Sequence, residues 1–193
     1  MPCWAVPEPA SPTARKATRG GRLGRGIADL LALEQAGVPV SLGVDGAASN
    51  EAADMQSEAH AAWLLQRARK GMLAQPRYAG GTFEGGADAA TVEDVVRWGS
   101  AGGAQILGLA QSGTLQVGMQ ADLAIYRLDD PRYFGLHDMA IGPVACGGRA
   151  ALKALLLNGR PIVEDDAIPG LDLDAMRHDA LAAVRTLQQR AAV

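Results

Sequence analysis

Gly37-Val38-Pro39-Val40-Ser41-Leu42-Gly43-Val44-Asp45-Gly46-Ala47-Ala48-Ser49-Asn50 is the stretch on which the fold turns. The short apolar run from Val38 to Val44 has the length and composition of a buried strand. It ends on one acidic residue, followed by Gly46, a small polar turn and a helix-forming segment from Glu51 to Lys70. A carboxylate at the C-terminal end of a buried parallel strand occupies the position where barrel enzymes keep their chemistry. Burying an acid is costly unless it is paired or binds a metal. The competing reading is structural: Asp45 starts the turn or caps the following helix. Pattern alone leaves both open.

The flanking sequence supports a helix-strand-helix unit. Upstream, Ile27, Leu30, Leu31 and Leu33 share one helical face, with Gly37 as the stop and Pro39 barring continuation. Downstream, a long helix is expected from about Glu51 to Met72, then a glycine-rich loop from Pro76 to Ala90 carrying Gly80, Gly81, Gly85 and Gly86. Thr91 reads as an N-cap with Asp94 completing a capping box, ahead of a helix from Val92 to Leu107 interrupted by Gly99, Gly102 and Gly103. The character then changes. Strands are expected at Thr114–Val117 and Leu123–Tyr126. Asn158-Gly159 between two apolar runs signals a hairpin with a type I′ turn. A helix from Asp172 to Arg190 follows.

Composition bounds the class. The 193 residues are 48% hydrophobic and 20% charged, which are globular values, and the net charge of -3 supplies no basic surface for nucleic acid or an anionic membrane. No run approaches the roughly 18 apolar residues of a membrane span. The N-terminal segment lacks the basic and apolar regions of a signal peptide. Cys3 and Cys146 lie far apart and make neither a disulfide framework nor a cysteine-rich metal site, so a cytoplasmic setting is the expectation. Residues 1–21, with Pro2, Pro7, Pro9 and Pro12, read as an irregular or disordered tail.

The wording of the Asp45 segment resembles the last barrel strand of the amidohydrolase superfamily of metal-dependent hydrolases. It is nearest the branch of 8-oxoguanine deaminase and hydroxyatrazine ethylaminohydrolase. Arg22-Leu-Gly-Arg-Gly-Ile27 is similar to the family segment after barrel strand seven. Ser112 to Tyr126 and Lys153 to Val163 resemble its return strands into a small β-domain. The implied fold is α/β: the C-terminal part of a TIM-like (β/α)8 barrel plus strands of a composite β-sandwich domain and a C-terminal helix. The implied division is 1–21 tail, 22–110 last βα units, 111–170 β-rich segment and 171–193 helix. A complete barrel typically needs about 250 residues.

The resemblance implies that Asp45 ligates the catalytic metal, zinc in this branch, and takes a proton from the metal-bound water during hydrolytic deamination of a purine- or triazine-like ring. It also implies a homo-oligomer. The ligand set is incomplete, because the family draws histidines from earlier strands, whereas the three here, His60, His137 and His178, are not at ligand spacing. His60 reads as a helix-flank residue and His178 as solvated. His137, beside Asp138 in an irregular segment, and Ser49, beside Asn50, are weak substrate-binding candidates. Ser49 and Asn50 also suit the start of the next helix. Trp63 and Trp98 read as core anchors, and Asp165-Asp166 as a solvated turn. Two functions follow: part of a heteroaromatic deaminase, or a catalytically inactive assembly module. No phosphate-binding glycine pattern supports a nucleotide-binding domain.

Overall fold

The computed structural model describes residues 13–15, 26–46, 53–74, 77–79, 82–84 and 88–191. Strand β1, Thr13–Arg15, pairs in parallel with β2, Val40–Leu42, with Ala14 opposite Ser41. Thr13–Arg15 falls inside the segment expected to be an irregular tail. A three-residue parallel strand has no local turn or alternation to announce it; only its partner does.

All three residues of β2 are buried, Ser41 included. This is what the unbroken apolar run at 38–44 requires, since a strand covered on both faces has no polar alternation. Helix α1, Leu30–Gln35, is capped by Asp29, whose carboxylate accepts from the Ala32 amide. It ends in a Schellman-type turn, with Gly37 N–H donating to Glu34 O and Val38 N–H to Leu33 O while Gly37 adopts φ 77°. Helix α2, Met55–Ala74, follows the Asp45 turn. Its buried Gln66 anchors the entry to α1: the side-chain oxygen accepts from Leu30 N–H at 3.0 Å and the amide donates to Ala28 O at 2.8 Å. With both ends satisfied, the buried amide carries little desolvation penalty.

Strands β3, Arg77–Ala79, and β4, Thr82–Glu84, pair antiparallel inside the segment expected to be loop. Two glycines between two short runs are a hairpin signal in the sequence. The capping box at Thr91 and Asp94 forms as expected, with reciprocal bonds at 3.2 and 3.0 Å. The helix behind it is α3, Val92–Arg97, then a π turn at Trp98–Gly102, then α4, Gly103–Leu107. The glycines therefore mark a π turn, and one of them faces β2: a Cβ on Gly102 would lie 2.1 Å from Val40 O. The core gathers here. Leu30, Val40, Leu42, Ala62, Ala90, Val95 and Trp98 form one buried cluster, with Trp63 packed partly buried against it.

The expected strand at Thr114–Val117 is absent. That segment is turn and irregular chain, with Leu115 and Val117 fully exposed, so no partner strand holds it extended. Strands β5, Leu123–Tyr126, β6, Leu152–Leu157, and β7, Arg160–Glu164, make an antiparallel sheet in that order. Asn158 and Gly159 both take positive φ, 49° and 76°, as a type I′ turn demands. A 3₁₀ turn, Pro131–Tyr133, and a short helix α5, Gly142–Ala145, lie between β5 and β6. Helix α6, Leu173–Ala191, follows the sheet and buries no residue. Among the described residues, no helix is long and apolar enough to cross a membrane.

Candidate functional site

Asp45 stands three residues beyond the end of β2 and is partly buried. Its backbone is left-handed, φ 69°, a conformation that Asp and Asn tolerate better than most residues. The chain therefore turns sharply at the acid, which stands just past the strand end. Asp45 is not without an interaction partner. Ser49 and Asn50 lie outside the described residues.

Helix α2 begins after this turn with Asp54 as its cap. The Asp54 carboxylate accepts from Gln56 N–H at 2.9 Å and from the Ser57 hydroxyl at 2.6 Å. The helix thus starts four residues beyond the Glu51 expected from sequence, on the Asp54-Met-Gln-Ser57 cap, a signal present in the sequence. Asp54 also acts on β5. Burial, followed by the charges of Asp54 and Tyr133, holds the Tyr126 hydroxyl above the ordinary value of 10.0. Tyr133 itself is buried, with a hydroxyl that finds no hydrogen-bond partner among the described residues, and the same is true of Gln56 Nε2. Glu58, in the first turn of α2, is wholly buried and engaged. The α2 N-terminus, the end of β5 and the Pro131–Tyr133 turn thus form one polar junction.

The histidines do not converge on Asp45 as a metal site. His60 is partly buried in α2 and shares a 2.7 Å hydrogen bond between Nδ1 and Val144 O; Nε2 abuts Gly147, where a Cβ would come within 2.8 Å. Its ring thus ties α2 to the end of α5, a tighter role than the helix-flank placement expected from sequence. His137 is exposed between the 3₁₀ turn and α5. His178, on α6, is exposed and lies 3.4 Å from its neighbour Asp179. Asp165 and Asp166 are not simply solvated: Lys153 pairs with the first and Arg149 with the second, both at 2.6 Å. Among the described residues, no group of three His, Cys, Asp or Glu side chains could hold a metal ion. A catalytic divalent ion needs about three protein ligands and an open position. The described residues do not fit a resident metal by themselves.

A second polar cluster sits at the opposite end of β2. Glu34 accepts from both Arg97 guanidinium nitrogens, one contact being very short, and from Trp98 Nε1–H at 3.1 Å. Arg97 also donates to Asp94 at 2.8 Å. The Arg97 hydrogen bond foremost holds the Glu34 carboxyl below its ordinary value. For Asp94 burial pushes upward, but the Thr91 amide and Arg97 outweigh it and the net shift is downward. Glu34, Arg97 and Trp98 line a cavity of about 290 Å³ with Gly37, Pro39 and Gln105. In parallel α/β enzymes the end at which strands begin is the stability face, and the cluster is fully paired.

Comparison with known proteins agrees with the geometry. Residues 11–160 match the amidohydrolase family. An isoxanthopterin deaminase from an unknown prokaryotic organism is 58% identical over 173 residues, covering 90% of this chain and 36% of its own length. An 8-oxoguanine deaminase from Pseudomonas aeruginosa is 39% identical over 164 residues, 84% of this chain and 33% of its own. Among solved structures, an amidohydrolase from a Sargasso Sea environmental sample superposes with a TM-score of 0.77 at 47% identity, over 93% of this chain and 37% of that one. An adenosine deaminase from Xanthomonas campestris with bound zinc gives 0.74 at 26% identity, over 92% and 36%. The chain spans about a third of the length of the curated relatives it matches. An Asp at the end of a buried parallel strand, a match over residues 11–160 and an α/β fold shared with solved amidohydrolases together place this chain in the amidohydrolase family.

Proposed function

We propose that this chain carries the acid-bearing last strand of a TIM-like barrel, with the adjoining β-segment, in a hydrolytic deaminase of a fused or substituted heteroaromatic ring. The proposed division is the one read from sequence: last βα units over 22–110, a β-rich segment over 111–170 and a terminal helix. The observation that carries the reading is Asp45, partly buried and displayed on a left-handed turn just past β2. The 58% identity to an isoxanthopterin deaminase and the 39% identity to an 8-oxoguanine deaminase support the substrate class.

In the proposed reaction water adds to the ring carbon bearing the exocyclic amine, and ammonia leaves. Asp45 accepts the proton that the water loses and returns it to the departing nitrogen, so protons balance over the cycle. A carboxylate in hydrogen-bond reach is the standard means for such a transfer and contributes about 10²–10⁴-fold. Zinc, bound in the Xanthomonas relative, would require ligands beyond the described residues. Ser49 and His137 stay as candidate substrate contacts, and a homo-oligomer and a cytoplasmic setting complete the proposal.

The absence of a metal-capable cluster among the described residues favours a second reading for the chain acting alone: a non-catalytic module. One experiment separates them. This chain is exchanged for the corresponding third of the isoxanthopterin deaminase, and ammonia release from aminated pteridines, purines and triazines is compared with that of the 193-residue chain. The proposal expects a working chimera that loses at least about 100-fold in kcat on Asp45→Asn, with no release by the chain alone. A chimera equally active with Asn at this position overturns the role of Asp45. A correctly folded but inactive chimera supports the non-catalytic reading.

A further inference from the structure

Two donors at the junction of α2 with the segment joining β5 to β6 are closed off from solvent and unpaired among the described residues. One is the hydroxyl of Tyr133, a side chain only 1% exposed. The other is Gln56 Nε2, in the first turn of α2. Leaving such a group unsatisfied costs its full desolvation, and native interiors rarely do so. The two donors call for an acceptor small enough to be enclosed with them.

Packing brings them to one place. Gln56 and His60 are four residues apart in α2, so they share a face and lie about 6 Å apart along the axis. On that face His60 reaches the far end of α5, at Val144 O and Gly147. The Tyr133 ring lies against the start of α5, where a Cβ on Gly142 would be 3.0 Å from Cδ1 and 3.4 Å from Cε1. The four residues of α5 also span about 6 Å. Tyr126 fixes which end meets which, because its hydroxyl is held up by burial and then by Asp54 and Tyr133 together. Asp54 stands two residues before Gln56, so Tyr133 lies level with the Gln56 turn rather than with the turns beyond His60.

We infer that Gln56 and Tyr133 together hold a single buried water molecule between α2 and the segment joining β5 to β6. Its oxygen accepts from Gln56 Nε2–H and from the Tyr133 hydroxyl. Acceptors for its own protons belong to the same junction, the Asp54 carboxylate and the Tyr126 hydroxyl oxygen. Water suits this set better than an ion does: an anion would sit beside Asp54, and a cation would face the N–H of Gln56. A water with two to four polar partners is a lasting part of a fold. Here it fastens the start of α2 to the β-rich segment, alongside the direct bond from His60 Nδ1–H to Val144 O. The inference is independent of the chemistry proposed for Asp45.

The test uses the full chain with Tyr133→Phe, Gln56→Met and the double variant. Both substitutions keep the bulk of the side chain, so the packing on Gly142 and along α2 survives. Oxygen-17 magnetic relaxation dispersion of the solvent counts waters held for longer than the protein tumbles, and each variant is expected to lose a long-lived water relative to the wild type. In urea unfolding each single variant should lower the midpoint by about 0.5 M, because the donor that remains is left unpaired. The double variant should fall no further than the worse single, since removing the second donor removes that penalty. A Tyr133→Phe midpoint equal to or above the wild type overturns the inference, because the hydroxyl then has nothing bound to it. Losses that simply add in the double variant overturn it too, since the two donors then share no occupant. An unchanged number of long-lived waters in the folded variants does the same.

Discussion

Two adjacent glycines in one helical run make the sharpest test of how β2, and with it Asp45, is held. Gly102 and Gly103 share nearly the same backbone, φ −63° and −61°, so alanine suits both conformations. Their surroundings differ. A Cβ on Gly103 meets nothing within 4 Å, while one on Gly102 would sit 2.1 Å from Val40 O and 3.3 Å from Val40 C. Restoring van der Waals distance requires the π turn and β2 to part by about 1 Å. Forced overpacking of this kind costs about 1–3 kcal/mol. Against it stands the gain of about 0.5–1 kcal/mol from replacing a helical glycine. That gain is common to both sites and cancels in the comparison. Gly103→Ala is therefore expected to raise stability by about 0.5–1 kcal/mol, and Gly102→Ala to fall about 1–3 kcal/mol below it. Urea unfolding followed by far-ultraviolet circular dichroism reads both midpoints at unchanged slope. Equal midpoints for the two variants would refute the close approach of the π turn to β2.

The other predictions concern the same face. Trp98, 1% exposed, fills the core and donates to Glu34; Trp98→Ala should cost about 3–5 kcal/mol in urea unfolding, and Trp98→Phe distinctly less, since most of the packing survives. Arg97 first, and then Trp98, depresses the Glu34 carboxyl from 4.5, despite the opposing effect of burial. The ion pair is therefore at full strength above that pH and is lost as pH falls through the lower folded value. Glu34 and Arg97 side chains are 33% and 46% exposed, so solvent screening limits the effect to about 1 kcal/mol or less. Thermal unfolding should show the wild type losing its advantage over Glu34→Gln below about pH 4; an advantage that persists at pH 3 would contradict the sign.

The local signals were legible in the residues themselves. The Val38–Val44 run foretold a buried strand, Thr91 with Asp94 a capping box, Asn158-Gly159 a type I′ hairpin, and the phrase around Asp45 the amidohydrolase family. Each depends on near neighbours: a period, a cap, a turn or a contiguous motif. The expected strand at Thr114–Val117 failed for the complementary reason, because extended chain persists only where a partner strand takes its hydrogen bonds. The cap at Asp54 is equally local, set by Asp54 and Ser57 within one turn.

What the sequence by itself determined is the set of local elements and the chemical identity of the acid, since helices, caps and tight turns are decided within a few residues along the chain. Tertiary structure alone decided that β1 lies beside β2, that Gly102 must be a glycine because a carbonyl of a distant strand lies against it, and that His60 ends on Val144 O. Those outcomes rest on contacts between residues tens of positions apart, for which neither periodicity nor propensity carries information.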